Sequence, residues 1–132
     1  MKRILMRMKT GDCGICVFAM VAGITYEESL EFFRTRAWYD KKDRKMPLVW
    51  KYEMERALNF KGIRQQRLPS YDGFERIFGR IAVLQPKCSG YFRHWIIYLP
   101  KEGYVIDPDP KQPDQVTDLS RYKFLTKYFM IP

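Results

Sequence analysis

Three side chains in this sequence have the types and the order that thiol chemistry requires. Cys13 stands at the start of an apolar, helix-forming run, His94 opens a strand-like segment far along the chain, and Asp107 closes the next one. An ordinary cysteine has a pKa of about 8.5, so little thiolate exists at neutral pH. Two effects favour the anion at such a place. The dipole and outward-facing amides of a helix N-terminus attract negative charge, and a neighbouring imidazolium adds a full opposite charge. A carboxylate on the second ring nitrogen then fixes the imidazole tautomer. His94 is the chain's one histidine. It is therefore the candidate base and then acid, with Asp107 as its orienter and Asp109 as the rival for that role.

The elements that must position these residues follow from periodicity and punctuation. Arg3–Met8 suits a short strand or an arm laid on the surface, and Thr10-Gly11-Asp12 breaks it. Cys13–Ala22 is apolar on every face, which predicts a buried central helix ended by Gly23. Thr25 with Glu28 three residues on is a capping box for a second helix through Phe33. Pro47 suits the first turn of a third helix, whose apolar face is Trp50, Met54, Ala57 and Leu58, ended by Gly62. Tyr71–Phe78 is read as a short helical turn after a polar link. Strands are expected at Arg80–Gln85, His94–Leu99 and Tyr104–Asp107, the last two joined as a hairpin by Lys101-Glu102-Gly103. Pro108 and Pro110 stop the third strand, and Tyr122–Ile131 forms a last one. Helices over about 12–62 followed by an antiparallel sheet over about 80–131 predict one α+β domain spanning residues 1–132. The hairpin would bring His94 and Asp107 to one end of the sheet, with Trp95 on the opposite face from His94.

A chain of 132 residues with 46% apolar and 16% aromatic content has a real core to bury, which excludes a disordered protein. The run Ile15–Ile24 is well short of the roughly 20 residues of a membrane span, and Asp12 before it is wrong for a signal peptide. Three cysteines cannot all pair internally, so a reducing cytoplasm is the expected compartment. The net charge of +9 predicts attraction to anionic partners. Arg34, Arg36, Trp38, Lys41, Lys42 and Arg44 interleave cations with an aromatic, a pattern that suits single-stranded nucleic acid or an acidic protein. A solvated loop is the plainer reading of the same stretch. No cofactor or metal is expected.

Other readings compete for the cysteines. Cys13 alone could be a small buried hydrophobe, and Cys16, one turn on, is read as core. Cys13-Gly14-Ile15-Cys16 is also a CxxC redox pattern, although the residues before it make a poor buried strand. Cys13, Cys16, Cys88 and His94 supply a zinc inventory, with a loose spacing in the second half.

Asp12-Cys13-Gly14-Ile15-Cys16-Val17-Phe18-Ala19-Met20, then Gly23-Ile24-Thr25-Tyr26-Glu27-Glu28, resembles the nucleophile helix of papain-like cysteine peptidases. The similarity is to the bacteriocin-processing, double-glycine leader peptidases and their short stand-alone relatives in bacteria and phages. His94-Trp95-Ile96-Ile97 and Ile106-Asp107-Pro108 resemble that family's histidine strand and Asp-Pro segment. The resemblance spans about residues 10–110. It implies a papain-like fold, helices packed on a C-terminal antiparallel sheet, and hydrolysis of a peptide or isopeptide bond in a protein substrate through a thioester. It also implies a bacterial or phage-infected cytoplasm, with association to the virion as an alternative. These peptidases carry an oxyanion glutamine shortly before the cysteine, and residues 1–12 contain none; Arg7 or Lys9 is the candidate substitute. A papain-like basic binding protein, weak or inactive as an enzyme, is the alternative.

Overall fold

The structure of the chain, a computed structural model, describes residues 1–8, 11–40, 46–68, 73–75, 77–87, 94–122 and 124–131. Its order is three helices, α1 (Cys13–Ala22), α2 (Tyr26–Arg34) and α3 (Lys51–Phe60), then strands β1 (Gln66–Leu68), β2 (Ile81–Lys87), β3 (Ile96–Leu99), β4 (Tyr104–Ile106) and β5 (Phe124–Ile131), with a 3-10 turn at Leu119–Arg121. This is an α+β architecture. Every pairing is antiparallel, in the order β1-β5-β2-β3-β4. Val116 bridges Val105 on the outer side of β4, which covers that edge. No single helix among the described residues is long and apolar enough to cross a membrane.

Helix α1 is apolar all round because it is buried all round. Cys13 through Met20 are all buried, and Gly23 closes the helix in the left-handed conformation at φ 70°. Strand alternation splits the sheet into two faces. Val83, Trp95, Ile97, Leu99 and Ile106 join the helices in one core, while Ala82, Leu84, Ile96, Tyr98 and Val105 meet Phe74 and Tyr122 in a second.

Two expectations are corrected. The third helix starts at Lys51, not near Pro47, because the buried Glu53 accepts the Trp50 amide at 2.8 Å and fixes the first turn there. The residues before it stay extended and lie over α1, where the Leu48 carbonyl accepts the buried Tyr39 hydroxyl at 2.8 Å. Of the two forms expected for residues 3–8 the structure has the arm, tied down by the Met6 amide to the Pro108 carbonyl at 2.8 Å and by Arg3 to the Gln112 carbonyl at 2.8 Å. The polar link contains β1, a sheet edge that its composition does not announce. Of the helical turn expected at 71–78, residues 71, 72 and 76 lie outside the described residues, and an Ile77 to Phe74 backbone bond closes a turn. Cys88 also lies outside them.

Candidate active site

Cys13 is the first residue of α1 and only 5% exposed. Its neighbour Asp12 does not cap the helix with its side chain. The carboxylate turns back instead. It accepts the Arg7 amide at 2.8 Å, the Met8 amide at 3.3 Å and the Tyr26 hydroxyl at 2.8 Å. The first turn of α1 is thereby left without a side-chain cap. On its other side the Trp95 amide donates to Cys13 Sγ at 3.3 Å. Gly14 permits this closeness: a Cβ there would sit 2.6 Å from Val49 Cβ and 3.0 Å from Trp95 Cδ1. The Trp95 indole in turn donates to the Val49 carbonyl at 2.8 Å, locking both neighbours in place.

His94 precedes β3 and Asp107 follows β4. The register Ile97 opposite Ile106 sets Asp107 across from Ile96, so His94 is its diagonal neighbour on the same face. His94 Nε2 meets Asp107 Oδ1 at 2.7 Å, and both side chains are fully buried. With Nε2 used by the carboxylate, Nδ1 is the nitrogen left to serve the sulfur, and the ring interacts with the Cys13 side chain.

The electrostatics follow from that contact set. Burial alone pushes His94 toward its neutral form. The hydrogen bonds to Asp107 and Cys13 and the charges on those two residues outweigh it, and the ring is raised from 6.5 to about 9. Burial likewise pushes Asp107 up, but the His94 hydrogen bond and charge, with the Tyr122 hydroxyl and the Asp109 amide, hold it below the ordinary carboxylate value. A carboxylate beside an imidazolium is the form this site favours at neutral pH. Cys16 shows the opposite case. It is fully buried, and burial pushes its thiol up, so it stays a neutral core thiol.

Between the two aspartates the geometry chooses Asp107. Asp109 gives its amide to Asp107 Oδ1 at 2.9 Å and takes the Lys111 amide at 3.0 Å, so its role is the turn. Cys13, His94 and Asp107 are thus brought together. Arg7 is not directed to the Cys13 amide: its guanidinium is an ion pair with Glu27 and lies 4.1 Å over the Tyr26 ring. Arg36 lies 4.2 Å over both the Phe32 and Phe60 rings, which meet each other at 5.3 Å, and Trp38 packs edge-on against Phe32 and Phe33. Arg34 carries the last turn of α2. Lys9, Lys41, Lys42 and Arg44 lie outside the described residues.

Four contributors escape sequence reading. Tyr122 donates to Asp107 Oδ2 at 2.5 Å from just beyond the 3-10 turn, and nothing local to Tyr122 announces this. The Trp95 amide and Val49 act through backbone position and bulk, which residue type does not encode. Asp12 could have been suspected, as a carboxylate at a helix start with no need to cap. No protein-family model matches the chain, and no curated protein sequence matches it.

Proposed function

We propose that this chain is a cysteine hydrolase of the papain-like type, acting on a peptide or isopeptide bond in a peptide or protein substrate. The observation that carries the reading is the buried His94, held at Nε2 by Asp107 and interacting with the Cys13 sulfur at the first turn of α1. Cys13 as thiolate attacks the substrate carbonyl carbon, and the charge that develops on the carbonyl oxygen faces the N-terminal end of α1. His94 gives its proton to the departing amine, leaving a thioester on Cys13. A water molecule, deprotonated by the now neutral His94, hydrolyses that thioester and restores the ion pair. Asp107 remains ionised throughout and keeps Nδ1 aimed at the reaction.

The resemblance to bacteriocin-processing peptidases is consistent with this assignment, and the missing glutamine sets its rate. Arg7 is occupied by Glu27 and Tyr26. With one oxyanion donor fewer, turnover about 10²–10³ below a fully equipped relative is expected. The direct test is alkylation with iodoacetamide at pH 7, read by peptide mapping. Cys13 should react selectively over Cys16, and His94→Ala should slow it about 100-fold. Equal labelling of the two sulfurs would sink the proposal.

A second reading rests on the +9 charge: a papain-like scaffold that binds an anionic partner without turnover. Nucleic-acid binding of that kind weakens steeply between about 50 and 200 mM salt. Binding insensitive to salt would remove it.

A further inference from the structure

Asp107 carries more donors than a buried turn residue needs. Oδ1 receives His94 Nε2 at 2.7 Å and the Asp109 amide at 2.9 Å, and Oδ2 receives the Tyr122 hydroxyl at 2.5 Å. Tyr122 is 1% exposed. Its ring stands edge-on to Phe74 at 6.3 Å, within the outer core that also holds Ile96, Tyr98 and Val105. The 3-10 turn at Leu119–Arg121, capped by Asp118, delivers it there. The hydroxyl therefore has a fixed direction.

We propose that Tyr122 is a positioning residue, the fourth member of the site, whose phenol fixes the Asp107 carboxylate so that Asp107 in turn aims His94. The proposal rests on the hydrolase reading above. A carboxylate held at one oxygen can still rotate about its Cβ–Cγ bond. Held at both, it presents Oδ1 to the imidazole in one orientation only. The phenol also places a donor on a negative charge that burial alone would neutralise, and charge-assisted bonds of this kind are roughly twice as strong as neutral ones. Among the described residues the titratable and charged groups around Asp107 are few. His94 and Tyr122 contact it directly, Cys13 lies beyond the imidazole, Asp109 is engaged with the Lys111 amide, and the Arg121 guanidinium lies 5.3 Å over the Tyr122 ring. The donor on Oδ2 is the one that can be removed by deleting a single atom.

Tyr122→Phe is that deletion. Because the chain has one histidine, the imidazole signals of nitrogen-labelled protein belong to His94 alone. The Nε2 proton bonded to Asp107 should resonate far downfield and vanish on the acid side as the carboxyl takes up a proton. In Tyr122→Phe that midpoint should rise by about one pH unit, a tenfold change in proton affinity. Iodoacetamide labelling of Cys13 at pH 7 should slow several-fold, and Tyr98→Phe, in the same cluster, should change neither. A lower melting temperature with the acid midpoint and the labelling rate unmoved would reduce Tyr122 to packing and overturn the proposal. If Tyr122→Phe does not fold, the phenolic proton of the unmodified chain decides. A slowly exchanging hydroxyl signal that titrates with Asp107 upholds the assignment, and its absence overturns it. Should Cys13 label no faster than Cys16 in the unmodified chain, the hydrolase reading fails, while the His94 signal still decides the role of Tyr122.

Discussion

The first turns of α1 and α2 both follow a residue suited to capping, Asp12 and Thr25, and end in opposite use. At α2, Thr25 accepts the Glu28 amide and Glu28 accepts the Thr25 amide, both at 3.0 Å, so the helix start is closed by its own side chains. At α1, Asp12 is as good a capping residue by type, yet its carboxylate serves the Arg7 and Met8 amides and the Tyr26 hydroxyl. The capping energy that α2 keeps, about 1 kcal/mol, is forgone at α1. What α1 has instead is tertiary burial and a helix end turned to a sulfur. A helix buried from Cys13 to Met20 tolerates the loss. The contrast separates a start built for stability from one kept available for an anion.

The largest effect expected at the α1 start comes from severing its link to the imidazole. Asp107→Asn keeps the volume and removes the charge that, with the hydrogen bonds and Cys13, raises His94 to about 9. A group whose folded value lies above its ordinary 6.5 contributes stability that is full below pH 6.5 and is lost as pH rises through 9. The His94 contribution should therefore fall between pH 6.5 and 9, read as a falling urea midpoint, and Asp107→Asn should flatten that slope. On the acid side the sign reverses. Asp107 is held below its ordinary 3.8, so its contribution is present above that value and lost as pH falls through the lowered one. An Asp107→Asn chain that keeps the alkaline slope would show that the His94 shift has another source.

A middle-sized effect is expected from Gly14→Ala. The new methyl would meet Val49 Cβ at 2.6 Å, with Trp95 Cδ1 at 3.0 Å. Overpacking of this kind costs about 1–3 kcal/mol. Because Trp95 also supplies the amide on Cys13 Sγ, the substitution should slow Cys13 labelling as well as lower the melting temperature. Loss of stability with unchanged labelling would mean that the Trp95 amide does not tune the sulfur.

Much of this arrangement was legible in the chain. Ten apolar residues without a polar face announce a buried helix, a threonine and a glutamate three apart announce its neighbour's start, and a histidine and an aspartate flanking a tight hairpin must meet at one end of it. These are local patterns with fixed periods. What stayed hidden lacks one. Tyr122 reaches Asp107 through a turn and a second core, and β1 pairs with β5 across half the chain. Pro47 promised a helix start, but the buried Glu53 carboxyl, bonded to the Trp50 and Asp40 amides, set it later. Arg7 was one of two cations near the sulfur by sequence distance, and Glu27 with the Tyr26 ring outbid it in space. Long-range partners decide such cases, and residue type alone does not carry them.

The smallest effect tests the comparison from the α2 side. Thr25→Ala removes the oxygen that accepts the Glu28 amide and leaves the Glu28 side chain bonded to residue 25 through the backbone amide alone. The expected cost is about 1 kcal/mol of unfolding free energy, since loss of an N-cap hydroxyl spans about 0.5–2 kcal/mol. Labelling of Cys13 should stay within twofold of the unmodified chain, because the α2 start bears on stability and has no part in the chemistry of α1. The connection that could defeat this runs through Tyr26, which follows Thr25 directly and donates to Asp12. If Thr25→Ala slows Cys13 as well, the two helix starts are coupled through the Tyr26–Asp12 bond, and the cap of α2 belongs to the support of the sulfur.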